Sequence, residues 1–235
     1  MINFLPQGTS KKKEAIVSKS IHKIIDEQIK RWEIGKREDK PIEEAINIIT
    51  ISRESGSQGY EVAKKLCLET GFDLFHNEIL EAMIETSKNS RVLLETLDEK
   101  GMNIVDDIVS NFVNEHHLWP DEYSKLLLKI LTTIGKHGKA VILGRGANCV
   151  LYKQNVLRVR IVAPMTIRCD HIQKSFGLTR DDAQKYIVST DTNRNAFVKR
   201  YFNSDATSPS NYDLILNTGT LSVEKAVQVI KVAIN

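Results

Sequence analysis

Ile46–Leu66 reads INIITISRESGSQGYEVAKKL, and this stretch decides the fold. Ile46, Ile48, Ile49 and Ile51 make a short β-branched run, the mark of a buried strand. Gly56 and Gly59 then interrupt a polar loop, and from Gly59 the pattern turns helical, with Val62, Ala63, Leu66 and Cys67 on one face. Strand, glycine-containing loop and helix start together make an anion site, because loop N–H groups and the helix dipole converge there. The lysine-bearing phosphate loop, G-x-x-x-x-G-K-[ST], has the same frame. Here Gly59 stands at the lysine position and Tyr60 at the hydroxyl position. By pattern alone, a phosphate-binding loop and an ordinary βα turn both fit.

Upstream, Glu14 to Lys36 carries Val17, Ile21, Ile24, Ile25, Gln28, Ile29 and Trp32 at three- and four-residue steps. This predicts an accessory helix, packed on the main domain or on a partner subunit of a homodimer. A loose tail with the basic run Lys11–Lys13 precedes it, and the charged link 36–41 follows. The expected division is an N-terminal tail and helix over 1–41 and one domain over 42–235.

Downstream, Gly71 is a helix C-cap candidate and Phe72–Phe75 a short strand. Asn77–Lys88 and residues 90–117 read as helices, the latter divided at Gly101. Pro120 starts a strongly apolar helix closed by Gly135 and Gly138. AVIL at 140–143 is a buried strand followed at once by Gly144-Arg145-Gly146. Ligands of open α/β sheets bind beyond the carboxyl ends of strands, so Arg145 is placed to grip a phosphate or carboxylate. Residues 156–163 alternate with Arg158 and Arg160, which fits a strand with one polar face or one near the sheet edge. Met165–Phe176 is a helix carrying Arg168. From Gly177 a charged helical segment begins, N-capped by Thr179 and holding Asp191, Arg194, Lys199 and Arg200. Tyr212–Thr218 is a last strand, and Ser222 caps a last amphipathic helix. About five strands separated by helices imply a parallel sheet covered on both faces.

Composition narrows the function classes. Hydrophobic residues at 41% supply a core, and a net charge of +3 leaves no domain-wide basic stripe. Aromatics at 6% are not interleaved with basic residues, which speaks against a nucleic-acid stacking platform. Cys67, Cys149 and Cys169 are far apart and read as reduced, partly buried thiols, and no Cys/His cluster points to zinc. No apolar run approaches the roughly 18 residues of a membrane span, and the N-terminus has no apolar signal core, so a cytoplasmic location is expected.

Taken together, three stretches resemble the cytidylate kinase-like family of P-loop nucleoside monophosphate kinases. ITISRESGSQGYEVAKKL resembles the family's loop ITISREFGSGG. VILGRGANCVL resembles its strand followed by Gly-Arg-Gly. YIVSTDTNRNAFVKRYF with NYDLILNTGTLSVEKAV resembles its lid and final strand–helix unit. The resemblance spans about residues 46–234. It implies a three-layer α/β fold with a five-stranded parallel sheet, a helical lid near 177–205, and phosphoryl transfer from ATP to a nucleoside monophosphate, CMP or dCMP, with Mg²⁺.

Carried over by position, Ser55, Gly56, Ser57, Gln58 and Gly59 would cradle the donor phosphates with Arg53 beside them and Tyr60 at the helix start. Arg145 would hold the acceptor phosphate. Arg194 and Arg200, with Asp191, would descend from the lid. The metal ligand is unassigned. Gln58, Tyr60 and His76 depart from the family pattern, and Gly146 stands where true cytidylate kinases have the aspartate of Gly-Arg-Asp. A non-catalytic nucleotide-binding module, or a kinase of another small metabolite, are therefore the alternatives. With no loop lysine, Arg53→Ala should weaken ATP binding more than Tyr60→Phe in a calorimetric titration. Equal and negligible effects would count against this placement of the loop.

Overall fold

Ile48, Ile49, Thr50 and Ile51 are all buried, because their strand lies at the centre of a sheet covered on both faces. The computed structural model describes residues 23–33, 46–85, 94–97, 99–116, 121–151 and 155–234. Among them a five-stranded sheet forms from β1 (Ile48–Arg53), β2 (Asp73–Phe75), β3 (Ala140–Leu143), β4 (Val156–Val162) and β5 (Leu214–Asn217). Its order is β2-β3-β1-β4-β5, with every neighbouring pair parallel. All carboxyl ends therefore share one edge. The chain passes from β1 to one side and then returns to the other, which makes a topological switch point beside β1.

Two apolar layers sandwich the sheet. Ile49, Ile51, Val141, Leu143, Val159 and Ile161 pack with α2 (Gly59–Thr70) and the C-terminal helix Val223–Ile234. Residues offset by one position, Ile48, Ala140 and Ile142, face the opposite layer, as the two-residue period of a strand requires. That layer contains α3 (Asn77–Glu85), α4 (Glu99–Glu115) and α5 (Glu122–His137). β4 is interior, and Arg158 and Arg160 give it one polar face. Arg158 pairs with Asp213 at 2.6 Å, and Arg160 donates to the Ala206 carbonyl at 2.6 Å.

The described part of the first helix, α1 (23–33), joins the same core through Ile25, Ile29 and Trp32, so it packs within the chain. Trp32 stacks on His137 at 4.2 Å and on Phe75 at 5.9 Å. Gln28 and Arg31 both reach the Asp73 carboxylate at 2.7 Å. The tail, the link at 36–41, residues 86–93, His117 and Pro120 lie outside the described residues.

Three local expectations change. Gly101 sits inside the first turn of α4 instead of between helices. Gly135 lies within α5, where a Cβ would meet Leu151 Cδ2 at 2.9 Å, so this glycine serves packing. Gly138 alone ends α5, as Gly71 ends α2 at φ 72°. A short helix, α6 (Ala147–Val150), follows Gly-Arg-Gly directly.

Beyond β4, α7 (Met165–Phe176) and α8 (Arg180–Phe202) form a helical hairpin. Cys169, Ile172, Ala183 and Ile187 hold its arms together. The last helix, Val223–Ile234, is α9. No helix among the described residues is long and apolar enough to cross a membrane. Truncating Trp32 to alanine should lower stability by about 3 kcal/mol, the usual loss for a large buried aromatic, read as a shifted denaturant midpoint. An unchanged midpoint would show that α1 adds nothing to the core.

Candidate functional site

Most of the residues predicted to matter, though not Ser57 or Arg200, line a cleft of about 940 Å³ at the carboxyl edge of the sheet. The β1–α2 loop, the β3–α6 turn, the start of α3 and the inner face of the α7–α8 hairpin line it. Clefts of this size and position are usual for small-molecule ligands in open α/β folds.

Arg53 is the last residue of β1, and its side chain runs under the loop. A Cβ on Gly59 would lie 2.5 Å from Arg53 Cβ, and one on Gly144 would fall on Arg53 Nη1. The two glycines leave the space that the arginine occupies. No carboxylate pairs with Arg53 among the described residues. Burial first, then Arg194 and Arg145, push its guanidinium down to about 9, with only Asp191 acting in the other direction. Arginine keeps its charge at neutral pH. The site therefore holds a buried cation that Arg194 and Arg145 oppose and Asp191 favours, and an anion in the cleft would relieve it.

Arg145 sits in the left-handed region at φ 54°, between Gly144 at φ 85° and Gly146 at φ 65°. Backbone of this kind is strained for a non-glycine residue and concentrates at functional sites. Arg145 Nη2 pairs with Glu81 at 2.7 Å, and the guanidinium stacks on Phe197 at 4.9 Å. Its Nε is buried with no hydrogen-bond partner. Gly146 cannot be replaced freely, since a Cβ there would fall on the Phe202 ring.

The β1–α2 loop is more internally bonded than a simple cradle. Ser57 N–H donates to the Glu54 carbonyl at 3.3 Å, and its hydroxyl lies between the Glu54 and Ile161 carbonyls. Ser55 N–H donates to Asp191 Oδ1 at 2.8 Å. Gln58 caps α2 in the left-handed conformation, at φ 59°. Its side chain thus stands where glycine would be relaxed. The first-turn N–H groups of Gly59, Tyr60 and Glu61 have no intrahelical partner, as at any helix start. Tyr60 is exposed at the cleft rim, edge-on to His76 at 6.1 Å. Burial lowers the His76 pKa, which favours the neutral imidazole.

From the hairpin, Arg194 Nη1 reaches the Arg53 carbonyl at 3.3 Å, and burial lowers its pKa. Arg200 is not brought into the cleft. It is exposed and lies over Tyr201 at 5.2 Å. The reason is helical phase. Asp191, Arg194 and Val198 recur at steps of three and four and share the cleft face, whereas Arg200, six positions beyond Arg194, points about 120° away.

Arg168 was not singled out for the site from the sequence; it does not itself line the cleft and holds three residues that do. It is buried on α7, donates through Nε to the Ser55 carbonyl at 2.7 Å, and pairs with both Asp191 and Glu54. His171, one turn on, bonds the Gly56 carbonyl at 2.8 Å. The available signal was Arg168 occupying the same helix face as Cys169 and Ile172.

The residues present fit a polyphosphate: loop and helix-start N–H groups, with Arg53, Arg145 and Arg194 beside them. They offer no cage of side chains for Mg²⁺, and an ion here would rest chiefly on phosphate oxygens and water. Among the described residues no group of three His, Cys, Asp or Glu side chains could hold a metal. Tyr60 replaces the hydroxyl that usually serves, and Glu54 and Asp191 are both engaged with Arg168.

Comparison with known proteins bears on the same residues. The model of the cytidylate kinase-like family matches residues 48–220. A cytidylate kinase of Methanocaldococcus jannaschii is 25% identical over 147 residues, covering 61% of this chain and 79% of that protein. A cytidylate kinase of Pyrococcus horikoshii is 26% identical over 191 residues, covering 80% and 88%. Among solved structures, an uncharacterized protein from Eubacterium ventriosum aligns with a TM-score of 0.64 at 24% identity, over 80% of this chain and 98% of that one.

Gly146→Asp should destabilise the protein by about 3 kcal/mol, combining left-handed strain with overpacking against Phe202. Urea unfolding checks this, and a variant as stable as the parent would mean that Phe202 moves aside freely.

Proposed function

This chain belongs to the cytidylate kinase-like family, and on that premise we propose that it transfers a phosphoryl group from ATP to a nucleoside monophosphate, with CMP and dCMP the first acceptors. One observation carries the reading. Three arginines from three different elements, Arg53, Arg145 and Arg194, converge on a single cleft, and Arg53 has no carboxylate partner among the described residues.

In this reading the donor triphosphate lies over the β1–α2 loop and the start of α2, with Arg53 beneath it. Arg145, projected by the strained turn after β3, holds the acceptor phosphate. An oxygen of that phosphate attacks the γ-phosphorus, the bond to the β-γ bridging oxygen breaks, and ADP leaves. Arg194, carried by α8, neutralises charge as it spreads over the transferring group. Little covalent help is needed, since such transfers are catalysed mainly by positioning and by cationic stabilisation. Hairpin movement would exclude water from the cleft. Mg²⁺ neutralises phosphate charge when it is bound, and no side chain is assigned to it here.

A second reading is favoured by Tyr60 and by the missing loop lysine, with Gly59 in its place: nucleotide binding without turnover, as a sensor or interaction module. His76 and Gly146 leave room for an acceptor other than CMP. An ADP-release assay across nucleoside monophosphates, with ATP in the presence and absence of Mg²⁺, separates these. Acceptor-dependent ADP formation is expected, strongest with a pyrimidine monophosphate. Folded protein that releases no ADP with any acceptor overturns the kinase reading. If calorimetry of the same protein still shows ATP binding, the non-catalytic reading takes its place.

A further inference from the structure

Asp191 is a carboxylate in a position built for an oxyanion. Its Oδ1 accepts the Ser55 N–H at 2.8 Å, Arg168 Nη2 donates to Oδ2, and Arg194 Nη1 stands 3.8 Å from Oδ1. One backbone N–H of the phosphate-type loop and two guanidinium groups thus meet on one anionic group. That is the donor set a phosphoryl oxygen takes, a loop amide with charge-assisted arginine bonds. The Ser55 peptide is fixed for the purpose, because Arg168 Nε also holds its carbonyl at 2.7 Å.

We propose that Ser55 N–H, Arg168 and Arg194 form a phosphoryl-binding subsite, which Asp191 occupies until a ligand phosphate displaces it. The proposal rests on the phosphotransfer reading of the cleft and adds to it a subsite and an internal competitor. The exchange leaves no buried charge alone. When Asp191 departs, Arg168 keeps Glu54 at 3.3 Å, and Arg160 stands beside the same Glu54 at 3.8 Å. The incoming phosphate replaces the lost carboxylate at both Arg168 and Arg194. Asp191 belongs to α8, so its release removes one of the bonds between hairpin and loop, while Arg168, His171 and Arg194 keep theirs to the Ser55, Gly56 and Arg53 carbonyls.

Competition of this kind has an arithmetic signature. Apparent affinity is the intrinsic affinity reduced by the fraction of molecules whose subsite is open. Removing the competitor removes that reduction. A strut with no such role would give the opposite result, because deleting it disorders the loop and weakens binding.

The test is calorimetric titration of wild type, Asp191→Asn and Asp191→Ala with inorganic pyrophosphate, with cytidine as a phosphate-free control. Asp191→Ala should bind pyrophosphate about tenfold more tightly than wild type, with Asp191→Asn intermediate because its amide oxygen still accepts from Ser55. Cytidine should bind all three alike. Should Asp191→Ala fail to fold, the isosteric Asp191→Asn carries the comparison. Pyrophosphate binding that is unchanged or weaker in the folded variants overturns the subsite. Equal tightening of cytidine also overturns it, since the cleft would merely be more open. If wild type binds ATP and only the tightening is missing, the subsite falls and the phosphotransfer reading stands. If neither wild type nor variants bind pyrophosphate or ATP, both fall.

Discussion

A cation set among cations is the constraint on which this cleft depends. Arg53 leaves the end of the central strand and runs under the loop that follows, and two glycines make the space for it. Gly59 gives up the side chain that would carry a lysine in the usual phosphate loop, and Gly144 clears the guanidinium at the end of β3. Arg145 and Arg194 then raise the cost of that charge instead of lowering it. Arginines buried in folded proteins are ordinarily paired, and Arg53 is buried with no carboxylate partner among the described residues.

The carboxylates nearby are placed consistently with this. Glu54 and Asp191 both turn to Arg168, on the hairpin side of the loop, and Glu81 takes one edge of Arg145. None pairs with Arg53. The loop itself is held from both directions, by Ser57 against β4 and by Arg168 and His171 from α7. Its geometry is thereby coupled to the position of the hairpin. Strain accompanies this order: Gln58 and Arg145 both adopt left-handed backbone that glycine would take without penalty.

The outline of the fold was legible because burial on two faces leaves a strong imprint on a strand. Residues 140–143 are apolar throughout and 48–51 are apolar except for the buried Thr50, and each stretch lies in the interior of the sheet. Gly71 and Gly138 announced helix ends because caps with positive φ favour glycine. Gly101 and Gly135 gave the same local signal and were misread, since a glycine required by packing cannot be told from a terminating one without its neighbour, here Leu151 for Gly135. Within the site, Arg53, Arg145 and Arg194 were visible from their places at strand ends and on the hairpin. Arg200 was carried along by proximity in sequence, although helical phase turns it outward. Arg168 was passed over because its partners, Ser55, Glu54 and Asp191, come from segments far from it along the chain.

By itself the sequence determined the alternation of strands and helices, a strand–loop–helix unit with glycine where the lysine of a phosphate loop would stand, and an arginine between glycines after a buried strand. These are local matters of periodicity, backbone freedom and residue type. Only the tertiary structure decided which charges meet. It threaded Arg53 into the space left by Gly59 and Gly144, set Phe202 where a side chain on Gly146 would have to go, and brought Asp191 across 136 residues to the Ser55 amide. Electrostatic pairing depends on distance in space, and parallel strands place at one edge residues that the chain keeps far apart.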